Sequence, residues 1–337
     1  MRKSNFELLR ILLIIMIITL HYLNGSIGGA LSNVPVKSFN YYLINAIESL
    51  CIVAVNVFII ITGYFSYKKN SIKVSKVVHL FSLCIFYGVL IYLGMIFFKH
   101  IAINKESIGI FIKTIFNRWF VLTYIVLYLM IPFINKVIDG LSKKNLKILI
   151  LTNVFFFYIF STFYINTLIH DNGYGIINFV SLYLIGAYIA KYYEKKEIKK
   201  YLTIGIYILC AILTTLMSLY TKKEAFAYSN IFNVIGAISL FLTFKNMNIK
   251  DKKIINKIST YTFSTYIIHE NAFLGIILYQ SLFKCNNYYN SNLLIVNLFY
   301  TVLGIYVICI LIEFIRRLLF SKLIDKNIEK IKYEIKV

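Results

Sequence analysis

The sequence predicts an all-α, polytopic membrane bundle of about ten helices with both termini in the cytoplasm, and three observations carry that reading. Of the 337 residues 59% are apolar and 15% charged, against about 45–50% and about 25% in an ordinary soluble domain; the mean hydropathy is +0.75. The apolar residues fall into long runs, and about 20 in a row are needed to cross a bilayer, where every backbone group has to be bonded internally. The 36 Lys and Arg against 14 Asp and Glu leave a formal charge of +22. In a soluble protein that excess would point to nucleic acid. In so apolar a chain it follows from the preference of Lys and Arg for cytoplasmic loops. The lipid bilayer is thus an expected partner and nucleic acid is not.

Ten stretches are apolar enough to span: 6–24, 43–66, 77–98, 119–138, 147–165, 174–193, 201–220, 226–244, 258–283 and 293–319. They form one membrane domain over 1–337, with connections too short for a soluble domain. The first stretch follows Met1-Arg2-Lys3 and superficially resembles a signal peptide. Arg10 interrupts its apolar run and no small-residue cleavage site follows, so it is expected to be retained. The second ends in the block Val57 to Phe65, where Gly63 would let a neighbouring helix come close. Lys68, Lys69, Lys73 and Lys76 separate it from the third. The fourth opens on Arg118-Trp119-Phe120 and closes near Pro132. The next four are plain apolar runs divided by short polar segments, the ninth carries a polar stretch from Ser259 to Glu270, and the tenth leads into a basic tail. Alternating sides along these spans puts 27 basic residues inside and 8 outside, with Arg10 on neither side. The outer segment 99–118, with four basic residues, is discordant.

An ionisable side chain within a span costs about 2.5–3.5 kcal/mol or more, so it normally has a partner or a task. Arg10 and His21 are eleven residues apart, about 16 Å of helical rise and within about 20° of one face. Arg10 either pairs with Glu7 and snorkels, or presents a cation toward the inner end of a stripe whose outer end is His21. Glu48 lies at the depth of His21 in the second span; it either faces headgroups or orients His21 as a general base. The cluster Lys68, Lys69, Lys73 and Lys76 is either a set of topology charges or a binder of phosphates or anionic lipid heads. Trp119 is either an interfacial anchor or part of a substrate wall. Tyr266 and Glu270 share a face beside His269, in either a buried network or an aqueous cavity. Cys51, Cys84, Cys210, Cys285 and Cys309 have no metal-ligand spacing and read as small buried hydrophobes, so neither a disulfide framework nor a metal site is expected. Nucleophile-elbow, phosphate-loop, dinucleotide and zinc-protease motifs are absent from the sequence. Asn24-Gly25-Ser26 matches a glycosylation triplet, a pattern short enough to arise by accident.

Four blocks in this order resemble the membrane-bound acyltransferase-3 family of bacterial multipass O-acyltransferases. They are Glu7-Leu8-Leu9-Arg10 with His21, Val57 to Phe65 with Thr62-Gly63, Trp119-Phe120 in a span ending near Pro132, and Ser259 to His269. The resemblance covers essentially the whole chain and implies acyl transfer, usually of acetyl from acetyl-CoA, to a hydroxyl of an extracytoplasmic polysaccharide or lipid-linked sugar. It implies a multipass protein of the bacterial plasma membrane, with acetyl-CoA as cosubstrate and no resident cofactor. His21 and Glu48 are then the expected catalytic residues, with Arg10, Lys68 and Lys69 for the donor and Trp119, Tyr266 and His269 for the acceptor or cleft. The basic residues after Gly63 are all Lys here, where relatives often carry Arg; Lys contacts phosphate as a point charge rather than bidentately. The soluble domain of some relatives is not seen, so any second acyl-transfer domain is expected on a partner or is unnecessary; polysaccharide-assembly machinery is an expected partner class. Two other classes fit the polar spans: a carbohydrate or lipid transporter with Arg10, Glu48, His269 and Glu270 along its path, and an inactive scaffold.

Overall fold

The computed structural model describes residues 3–23, 27–163, 171–193, 199–221 and 224–337. The Asn24–Ser26 triplet and the charges Arg2, Lys195, Lys196, Lys222 and Lys223 lie outside the described residues, as do the last residues of the stretches 6–24 and 147–165. The chain is an all-α bundle with helix at each of the ten expected stretches. Seven helices are long and apolar enough to cross a membrane, while Ile176–Tyr192, Ile231–Lys245 and Ala272–Leu282 are shorter apolar helices. Large apolar side chains such as Leu93, Phe97, Phe299 and Leu318 point outward, where only lipid can cover them. All five cysteines are free and buried.

Helix α1 (Ser4–Leu23) is apolar all round rather than along one stripe, a pattern that is stable only inside a bundle. Leu9, Leu13, Ile18, Tyr22 and Leu23 are fully buried. The second stretch is not one helix but two, α2 (Phe39–Cys51) and α3 (Ala54–Ser66). The break frees the Leu50 carbonyl, and the Tyr207 hydroxyl donates to it at 2.7 Å, so this acceptor is not left orphaned in the membrane. Next come α4 (Val74–Phe97), α5 (Lys105–Phe116) and α6 (Trp119–Gly140). Segment 99–118 was expected as a loop, but Asn104 and Ser107 form a reciprocal capping box that starts α5. Helix α6 runs on through Pro132 to Gly140.

Helix α7 (Lys143–Asn153) continues through a π-helical turn at Val154–Ile159. It is followed by α8 (Ile176–Tyr192), α9 (Lys200–Tyr220) and α10 (Ile231–Lys245). The crossing of α3 and α8 is set by two glycines. A Cβ on Gly63 would lie 2.2 Å from the Tyr183 carbonyl oxygen, and one on Gly186 would lie 2.3 Å from the Ile60 carbonyl oxygen. Both obstacles are backbone. Gly63→Ala is therefore expected to destabilise the protein by about 1–3 kcal/mol or more, read as a lower melting midpoint in detergent. Gly94→Ala, whose Cβ meets nothing within 4 Å, is the control.

The ninth stretch, expected as one span over 258–283, is broken. A short helix Lys253–Ile258 and a 3-10 turn lead into α11 (Thr262–His269), after which α12 (Ala272–Ile276) and a π-helical turn follow. The break is made by Asn271, whose side chain caps α12 by accepting from the Phe273 and Leu274 amides at 3.0 and 3.3 Å. Helix α13 (Leu294–Phe320) closes the bundle, and α1 is packed by α2, α3, α10, α11 and α13.

The segments read as inner meet at one end of the bundle. The Ser4 hydroxyl donates to Asn256 at 2.9 Å, Phe6 packs edge-on against Phe65, and the Asn135 amide donates to the Ser66 and Lys69 carbonyls. Lys191 pairs with Asp139, and Lys245 donates to the Tyr193 carbonyl. The last strand, β2 (Glu334–Lys336), pairs antiparallel with β1 (Ser71–Lys73), placing Ile72 opposite Ile335. Both terminal segments thus stand at the same end.

Candidate active site

A cavity of about 890 Å³ runs along α1. Glu7, Arg10, Ile14, Ile17 and His21 all line it, a spacing of three and four residues that keeps them on one face. At the end nearer the start of α1, Arg10 Nη1 donates to Glu7 Oε1 at 2.5 Å, while the Ser259 hydroxyl donates to Glu7 Oε2 at 2.5 Å. Glu7 thereby ties α1 to the ninth stretch and anchors one nitrogen of Arg10. Among the described residues no hydrogen bond is taken by Arg10 Nε or Nη2, and the guanidinium carbon lies 5.8 Å from the Phe65 ring centre. Lys3 joins this end of the wall.

Lys68 and Lys69 are not on that wall. The Lys69 ammonium donates to the Ser66 hydroxyl at 3.0 Å, and the Lys68 ammonium sits 5.5 Å from the Tyr67 ring centre. Burial, with the Lys76 ammonium second, holds the pKa of Lys69 below the usual lysine value. They stand at the same end of the bundle as Arg10 but outside the cavity.

The middle of the cavity is mostly apolar, with Phe58, Ile61 and Phe120, and carries the hydroxyls of Thr62, Tyr124 and Thr262. At the opposite end the wall holds His21, Glu48, Trp119, Tyr174, Tyr228 and Tyr266. Trp119 stacks on Tyr228 with ring centres 5.7 Å apart and meets Tyr174 edge-on at 4.6 Å. Asn56 fixes this corner by donating to the Tyr228 carbonyl at 2.8 Å.

The expected pairing of Glu48 with His21 is replaced by another. His21 Nδ1 lies 2.9 Å from His269 Nε2, and His269 Nδ1 lies 2.6 Å from the Thr265 carbonyl. Among the described residues no hydrogen bond joins Glu48 to His21, and Glu48 Oε2 is buried without a partner. Depth along the helices is shared by Glu48 and His21, but the break after Cys51 and the packing of α11 against α1 decide which side chains meet. His269 itself is fully buried and is not on the cavity wall, so it cannot touch an acceptor there.

Arg118 was counted as an outer loop charge, part of the discordant segment. It is 5% exposed and bonded on three sides: Nε to the Thr114 carbonyl at 2.7 Å, Nη2 to the Ile267 carbonyl at 3.0 Å, and Nη1 to Glu270 at 2.8 Å. The anomaly in the charge tally was its signal. Lys3, Tyr174, Phe226 and Tyr228 also line the cavity without having been singled out; the last three come from short connections and helix starts, where periodicity gives no signal. Among the described residues no three of His, Cys, Asp and Glu gather to hold a metal ion.

A family model described as an acyltransferase domain, acyltransferase-3, matches residues 3–313. No curated protein and no solved structure matches the chain.

Proposed function

The chain belongs to the acyltransferase-3 family, and we propose that it moves an acetyl group from cytoplasmic acetyl-CoA to a hydroxyl of an extracytoplasmic polysaccharide or lipid-linked sugar at the bacterial plasma membrane. The observation that carries this reading is one cavity lined by both Arg10, two of whose guanidinium nitrogens bond to none of the described residues, and His21 at its far end. Donor and acceptor approach from opposite faces and react without the acetyl group crossing open lipid.

Arg10, held by Glu7, and Lys3 take the donor's phosphates through charge-assisted hydrogen bonds. The rim lysines Lys68 and Lys69 add attraction from outside the cavity. The long, amide-bearing arm of the donor lies along the middle of the cavity, where the hydroxyls of Thr62, Tyr124 and Thr262 offer polar partners, and its thioester reaches the depth of His21. There His21 removes the proton of the acceptor hydroxyl as that oxygen attacks the thioester carbonyl carbon. The new C–O bond forms, the C–S bond breaks, and the leaving thiolate recovers the proton from His21. Both reactants are held in one place, so the step is in effect unimolecular. Ser259 on the wall donates to the Glu7 carboxylate, a contact at the Arg10 end and not beside His21, and direct transfer needs no serine or cysteine nucleophile.

Trp119, Tyr174 and Tyr228 form an aromatic platform of the kind that suits a sugar ring, with Tyr266 beside it. Glu48 has a buried carboxylate oxygen in need of a donor, which a second acceptor hydroxyl supplies. Glu48→Ala is expected to raise KM for a soluble oligosaccharide acceptor roughly two- to tenfold, the worth of one buried hydrogen bond, with KM for acetyl-CoA unchanged.

The test is turnover of labelled acetyl-CoA by purified protein, joined to mass spectrometry of surface glycans from cells with and without the gene. An added acetyl mass on one sugar is the expected result. Transport of unmodified sugar without acetyl-CoA consumption would overturn the reading.

A further inference from the structure

His269 is fully buried, off the cavity wall, and bonded at both ring nitrogens. A backbone carbonyl only accepts, so the 2.6 Å contact to the Thr265 oxygen requires a proton on His269 Nδ1. A neutral imidazole carries one N–H, and His269 Nε2 is therefore an acceptor. The atom facing it at 2.9 Å, His21 Nδ1, must be the donor. It follows that neutral His21 has its proton on Nδ1 and its lone pair on Nε2, the nitrogen left for the cavity.

On the acyltransferase reading above, we propose that His269 is the positioning residue of the base. Through the chain Thr265 carbonyl, His269, His21, it fixes both the tautomer and the ring orientation in which His21 takes the acceptor's proton. The bond from His21 Nδ1 to His269 persists while Nε2 is protonated and becomes charge-assisted. It is then stronger in the transition state than in the ground state, which is the condition for accelerating a step. A neutral imidazole here fills the place that a carboxylate holds in the familiar triads.

The geometry is braced. His269 ends α11, and the Arg118 guanidinium grips that end through the Ile267 carbonyl and Glu270. The two histidine rings meet edge to edge, tilted by 41° with centres 4.9 Å apart, so their contact is a hydrogen bond rather than a stack.

The experiment measures kcat and KM for acetyl-CoA in wild type, His269→Leu, His269→Gln and His21→Ala, each checked by its melting curve. Gln offers a carbonyl that can accept from His21 Nδ1; Leu offers nothing. Expected is a kcat about 100-fold down in the Leu variant and within about tenfold of wild type in the Gln variant, with both KM values unchanged. A Leu variant within threefold of wild type, or equal kcat losses in the two variants, overturns the proposal. Should the Leu variant not assemble, His269→Met takes its place in the same comparison. The His21→Ala arm separates the two claims: if it transfers acetyl at the wild-type rate, the base assignment itself fails whatever the His269 variants do.

Discussion

Replacing His21 by alanine is expected to lower acetyl transfer by about 10²–10⁴-fold while the protein still inserts and melts as wild type. The reasons for the two halves differ. Chemically, among the described residues no other imidazole lines the cavity, and His269 is sealed behind the wall. Structurally, His21 is half-buried and its ring bonds to His269 alone among the described residues, so its loss leaves one acceptor unpaired beside a space that water can enter. Arg10→Ala should behave otherwise. It removes a phosphate contact made in both ground and transition states, so KM for acetyl-CoA rises while kcat changes little. The check is initial-rate kinetics on purified variants at equal folded concentration. A His21→Ala enzyme that keeps more than a tenth of wild-type kcat would remove His21 from the chemistry.

How much of this was legible in the sequence depends on the range of the interaction. The ten helical stretches follow from apolar runs, and the stripe from Arg10 to His21 follows from helical period, both properties local to the chain. Gly63 could be picked out because a helix without a Cβ invites a neighbour, although its partner Gly186 could not be. The breaks at Cys51 and Asn271 were missed because no proline marks them. One depends on Tyr207, 157 positions away, donating its hydroxyl to the freed Leu50 carbonyl. The other depends on an asparagine cap inside an apolar run. Depth matching placed Glu48 beside His21, but depth says nothing about azimuth, and azimuth is set by how α11 packs on α1. The two strands β1 and β2 join the segment after the second stretch to the C-terminal tail and left no pattern that periodicity can read.

Arg118→Leu is the substitution expected to cost the most stability. Arg118 and Glu270 form an ion pair whose side chains are 5% and 20% exposed, and breaking such a pair from one side costs about 3–5 kcal/mol because the remaining charge stays buried and unpaired. Here the loss is wider than one charge, since the Thr114 and Ile267 carbonyls lose their donor as well. Glu270→Gln should be milder, because the amide oxygen can still accept from Arg118. Joining the two changes in one protein should cost less than the sum of the single losses, since the first removes the partner whose absence makes the second expensive. Melting midpoints of the four proteins in one detergent close this cycle. Strict additivity would mean that Arg118 and Glu270 stabilise the bundle independently. A kinetic consequence follows from the same geometry: without Arg118 the end of α11 is held less firmly, and His269 loses its fixed place behind His21. Arg118→Leu protein that remains folded at low temperature is therefore expected to show a lower kcat with KM for acetyl-CoA unchanged, although Arg118 is not among the cavity-lining residues and touches neither substrate.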